Sequence, residues 1–104
     1  MENIYQNLPF HLPYECVEIL QSQPNVRIER IVSQGHSTPT GQWYDQSEHE
    51  WVIVLQGLDV IEYENGEQLM LNVGDYVYLP AHVKHRVASR AKNEHTIWLA
   101  IFWN

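Results

Sequence analysis

At 104 residues the chain suits one compact domain with a thin core, and 44% hydrophobic with 18% charged residues is the composition of a folded protein. A net charge of −7 repels phosphate backbones, so nucleic acid is not an expected partner. No apolar run reaches the roughly 18–20 residues of a membrane span, and MENIYQNLPFHLPYE lacks the basic start and apolar core of a signal peptide; the expectation is a cytoplasmic protein without membrane contact.

Along the chain, Pro13 suits a first helical turn, and Cys16, Val17 and Leu20 recur at helical spacing with Glu15 and Glu18 opposite. This predicts a short helix near 13–21, stopped before Pro24, within an N-terminal helical extension over 1–25. Cys16 has no partner for a disulfide and reads as a structural thiol. From residue 26 onward the pattern is short strands. VRIERIVS (26–33) alternates, and EWVIVLQG (50–57) is apolar enough to be buried on both faces. DVIEYENGEQLMLN (59–72) holds Asn65-Gly66 between two alternating runs, a hairpin signal that predicts a type I′ turn. VGDYVYLP (73–80) turns at Gly74-Asp75 and ends at Pro80; KHRVAS and HTIWLAIFW follow. Seven or eight strands at this spacing predict an all-β sandwich or barrel over 26–104. The basic residues are scattered, Arg27 and Arg30 and then Lys84, Arg86, Arg90 and Lys92; the last four form a mild cluster that reads as a solvated strand face, with contact to a small anion as the alternative.

Polar chemistry gathers beside apolar strands at WYDQSEHEWVIVL (43–55) and YLPAHVKHRV (78–87). These offer Asp45, Gln46, Glu48, His49, Glu50, His82 and His85, a mixture of imidazole and carboxylate suited to iron, manganese, nickel or zinc. Strand parity separates them: if Glu50 points inward, His49 points out. His85 can face the interior, whereas His82 belongs to the turn after Pro80 and is the weaker ligand candidate. Glu48 reads as a solvated loop residue, and His11, His36 and His95 lie outside both segments.

The two segments resemble the two motifs of the cupin superfamily. The second motif is a glycine, five residues, a proline, one residue, a glycine, two residues and a histidine. Gly74, DYVYL, Pro80, Ala81, His82, Val83, Lys84 and His85 match it, with His82 in the place of the second glycine and His85 in that of the metal histidine. Glu50, WVIVLQ and Gly57 match the second half of the first motif. Its two histidine positions fall on Trp43 and Asp45, or on Tyr44 and Gln46. The resemblance, over roughly residues 26–103, implies a double-stranded β-helix, a jelly-roll-like barrel. It also implies a divalent transition metal (iron, manganese, nickel or zinc) on Glu50 and His85, with Asp45 replacing a histidine. Trp43 cannot ligate and would fill part of the cavity.

Three readings follow. One is a metal-binding cupin acting on a small organic molecule, by dioxygenase, isomerase or lyase chemistry, with Tyr44, Gln46, Tyr76 or Tyr78 orienting the substrate. The second is a metal-free module holding a small ligand among Trp43, Tyr44, Trp51 and Trp98, where Glu50 and His85 pair. The third is an assembly role: the apolar HTIWLAIFW and four tryptophans predict a homodimer.

Overall fold

The computed structural model describes residues 1–8, 12, 14–88 and 94–104. His11, Pro13, Arg90 and Lys92 lie outside the described residues. The strands are β1 (Cys16–Gln23), β2 (Val26–Ser33), β3 (His49–Gln56), β4 (Asp59–Tyr63), β5 (Gln68–Leu71), β6 (Tyr76–Leu79), β7 (His85–Val87) and β8 (Thr96–Trp103). All pairings are antiparallel. They build a five-stranded sheet, β1-β2-β8-β3-β6, and a three-stranded sheet, β5-β4-β7. Val52, Val54, Leu79, Trp98, Ala100 and Phe102 of the large sheet meet Ile61 and Leu71 of the small one in the core. Among the described residues there is no helix, and none long and apolar enough to cross a membrane.

Where a helix is expected near 13–21, the residues from Cys16 onward form strand β1. A lone helix of that length is marginal in water, since nucleation fixes several residues for one hydrogen bond. Pro24 and Asn25 instead form a tight turn, and β1 pairs with β2 from Cys16↔Val32 to Gln23↔Val26, with an irregularity between Ile19 and Gln21. β1 thus forms an edge of the large sheet, and its outward side chains Ile19 and Leu20 stay exposed.

The Asn65-Gly66 hairpin joins β4 to β5, but the turn differs from the expected type. Gly66 has a φ of +92°, whereas Asn65 does not take positive φ. The Gly66 amide donates to the Tyr63 carbonyl (2.9 Å) and the Tyr63 amide to that of Glu67 (2.8 Å). This is a type I turn followed by a left-handed glycine. The Asn65 side chain accepts from the Glu67 amide at 2.9 Å, which holds Asn65 in that conformation.

β3 alternates rather than being buried on both faces. Glu50, Val52 and Val54 are buried, while His49, Trp51 and Ile53 are half-buried on the outer face. There Trp51 lies against Tyr76 (5.4 Å between ring centroids), and Trp103 stacks on both His49 (5.6 Å) and Tyr78 (5.9 Å). This aromatic layer shields the outer face and leaves the inner face to form the site.

Candidate functional site

Between the sheets lies a cavity of about 220 Å³. Its walls are apolar, from Ile31, Val52, Ile61, Leu79, Trp98 and Phe102. Its polar groups are Glu15, Glu29, Tyr44, Gln46, Glu50 and His85.

Glu50 enters from the start of β3, with the same inward parity as Val52. His85 opens β7 in the facing sheet, and both side chains are buried. Nε2 of His85 lies 3.6 Å from Oε1 of Glu50. That is longer than an ordinary hydrogen bond but within ion-pair reach. Nδ1–H of His85 donates to the Val83 carbonyl at 3.0 Å, which fixes the ring and turns Nε2 toward the carboxylate. Gln46 adds an amide N–H to Glu50 Oε1 at 3.0 Å. Burial pushes the His85 pKa down, but the Glu50 carboxylate and the Val83 carbonyl together outweigh it, so the pKa stands above its ordinary value. A neutral ring would aim a lone pair at the carboxylate; a proton on Nε2 removes that repulsion.

This arrangement has a consequence for stability. A histidine whose folded pKa is raised contributes stability that is fully present below its ordinary value of 6.5 and lost as pH rises through the folded pKa. The carboxyl of Glu15, pushed up by burial, acts in the same direction in a lower window that begins near 4.5. In urea titrations the wild type is expected to lose stability as pH rises above 6.5, while His85→Asn shows a flatter profile there. Parallel profiles would contradict the pairing.

The two motif segments are tied together through their backbones. The Tyr44 amide donates to the His85 carbonyl (2.7 Å), the His85 amide to that of Tyr44 (3.2 Å), and the His82 amide to that of Gln46 (2.8 Å). Tyr44 and Gln46 thereby reach the cavity, with the Tyr44 ring 5.6 Å from that of His85. The intervening Asp45 points away: its Oδ1 meets His82 Nδ1 at 2.9 Å on the exposed rim. His82 has a φ of +65°, the left-handed conformation that favours glycine, and it occupies the motif's glycine position.

Of the other expected cavity residues, Trp98 lines the main cavity. Trp43 lines an adjoining one of about 320 Å³, which shares Glu15, Tyr44 and Val87 with the first. Tyr76 and Tyr78 lie outside both, 66% and 47% exposed on the outer face, as does Trp51. The reason is parity: on β6 it is Val77 and Leu79 that point inward.

Sequence reasoning missed Glu15 and Glu29. Glu29 shares its face of β2 with Ile31, toward the cavity, and is held by Arg27 at 2.6 Å. Arg27 in turn grips Glu48 at 3.0 Å and lies 4.4 Å over the Phe102 ring. The opposite face of β2 is also covered, because Arg30 donates to the carbonyls of Ile4 (3.0 Å) and Gln6 (2.6 Å) and pairs with Glu18. With both faces covered, alternation alone could not tell which was the interior.

The metal expectation can be tested against this donor set. Among the described residues no three His, Cys, Asp or Glu side chains come together to hold a metal ion. Glu50 and His85 supply two donors, and Asp45 is engaged with His82 outside the cavity. The residues do not fit the expected site.

The family model described as "Cupin domain" matches residues 30–102. A crystal structure from Ralstonia eutropha JMP134, named as a proposed mannose-6-phosphate isomerase, is 36% identical, with a TM-score of 0.95 over 100% of this chain and 97% of that one. A cupin superfamily protein from Desulfitobacterium hafniense DCB-2 is 20% identical, with a TM-score of 0.76 over 92% of this chain and 83% of that one. A DMSP lyase from Ruegeria pomeroyi DSS-3 is 15% identical, with a TM-score of 0.72 over 86% of this chain and 47% of that one. No curated protein matches. Two facing antiparallel sheets, the two motif segments joined at their backbones and the family match lead to one conclusion: the chain belongs to the cupin domain family.

Proposed function

We propose that the cavity binds a small organic molecule and works on it through the Glu50–His85 pair, without a metal. The observation that carries this reading is the 3.6 Å pair of Nε2 and Oε1 inside a mainly apolar cavity. Such a cavity admits a fragment-sized molecule, since it lies at or below the low end of ligand pockets. His85 acts as an acid when Nε2 carries the proton and as a base when it does not. Glu50 stabilises the charged ring, and Gln46 holds Glu50 in place. Tyr44 covers the ring on the cavity side. Moving a proton between neighbouring atoms is isomerase chemistry, which agrees with the name of the 36% identical relative.

The test is a thermal-shift screen of small carbonyl and hydroxy compounds against the wild type and the double variant Glu50→Ala/His85→Ala, each with and without chelator. Compounds that stabilise the wild type are expected to do so equally with chelator and to bind the double variant about ten-fold or more weakly. Two results would sink the reading: shifts unchanged in the double variant, or shifts lost on chelation and restored by added metal.

A further inference from the structure

The charge lining the cavity narrows the kind of molecule it accepts. Glu15, Glu29 and Glu50 all face it, and no Lys or Arg among the described residues lines either this cavity or the adjoining one. Two of the carboxylates are answered by the protein. Glu29 has the Arg27 guanidinium at 2.6 Å, and Glu50 has the Gln46 amide at 3.0 Å and His85 at 3.6 Å. Glu15 makes no hydrogen bond or ion pair with any described residue, and the compensating charge that acts on it is that of His36. His36 lines the adjoining cavity, and Glu15 lines both, so Glu15 stands where the two spaces meet.

We infer that Glu15 is a specificity residue, and that the cavity selects a small organic cation, an amine with an apolar or aromatic body, over a sugar phosphate. The inference rests on the reading that the cavity binds a small molecule. A phosphate here would meet three carboxylates and no Lys or Arg among the described residues, and the His85 imidazole that lines the cavity is already turned to Glu50, in surroundings where water screens poorly. An ammonium group beside Glu15 supplies the missing counter-charge and forms a charge-assisted hydrogen bond. Its organic body fits the walls: Tyr44 and Trp43 offer ring faces beside Glu15, and Trp98 and Phe102 close the apolar end. Burial also holds the Glu15 carboxyl above its ordinary pKa, against the opposing pull of His36.

Phenethylamine, phenethyl alcohol and mannose-6-phosphate serve as probes, titrated by tryptophan fluorescence and calorimetry at pH 8 against the wild type and Glu15→Gln. The amine and the alcohol have the same shape and differ in charge. The wild type is expected to prefer the amine over the alcohol by about ten-fold, and Glu15→Gln to erase that preference while still binding the alcohol. Retained alcohol binding shows that the variant cavity is intact. Equal binding of amine and alcohol by the wild type, an unchanged preference in Glu15→Gln, or tighter binding of mannose-6-phosphate overturns the inference and leaves the cavity reading standing. If none of the three binds the wild type, the inference fails, and the screen of carbonyl and hydroxy compounds decides the cavity reading by itself.

Discussion

Replacing Trp98 by alanine is expected to remove about 3–5 kcal/mol of folding stability. Trp98 sits in the middle of β8, pairs across the sheet with Ile31 and Val54, and is only 5% exposed. Its side chain forms part of the core and also a wall of the cavity, so truncation joins its own volume to a space that already exists. The surroundings are two hydrogen-bonded sheets and cannot collapse onto the gap without breaking register. Domains of this size are stable by roughly 5–15 kcal/mol, so the loss is a large share of the total. Urea denaturation followed by circular dichroism measures it. A loss below about 1 kcal/mol would mean that Trp98 packs far more loosely than its burial implies. Trp98→Phe keeps an aromatic wall and is expected to lose less.

The second large effect belongs to Gly57, the glycine that the first motif places after β3. Its φ is +80°, and a Cβ there would lie 2.8 Å from Thr96 Oγ1, 2.9 Å from the His95 carbonyl and 3.2 Å from Thr96 Cα. Two of these atoms are backbone. The third is fixed as well, because the Thr96 hydroxyl donates to the Leu58 carbonyl at 3.2 Å. Gly57→Ala therefore combines left-handed strain with a steric clash, for about 2–4 kcal/mol in all. Gly66 and Gly74 provide the control. Their φ values are +92° and +90°, but a Cβ at either meets nothing within 4 Å. Alanine at those two positions is expected to show the conformational part alone, about 1 kcal/mol. Thermal unfolding of the three variants separates strain from crowding, and equal losses at all three would show that crowding at Gly57 contributes nothing.

Much of this architecture can be read from the residue order. The Gly74-to-His85 spacing and the Glu50-to-Gly57 spacing lead to two facing sheets with Glu50 and His85 between them, as found, whereas the apolar run of β3 hides the alternation that the structure shows. Separating His82 from His85 by parity also agrees with the structure, where His82 occupies the rim turn and His85 the cavity. Other features depend on partners that are distant in sequence. The spacing of Cys16, Val17 and Leu20 fits a helix, but pairing with β2 decides the matter in favour of a strand. Asp45 and Gln46 are neighbours whose side chains diverge, one to His82 and one to Glu50, and only the backbone pairing with residues 82–85 sets which goes where. Tyr76 and Tyr78 were within reach of the parity argument: Pro80 ends the strand, Leu79 is its apolar inward residue, and both tyrosines then face out. Glu15 and Glu29 were not, since their role depends on the cavity that the folded sheets enclose.

The backbone hydrogen bonds that lace residues 44–46 to residues 82–85 also have a kinetic consequence. They close one rim of the cavity with a reciprocal ladder, so the amides of Tyr44, His82 and His85 should exchange with deuterium slowly and together.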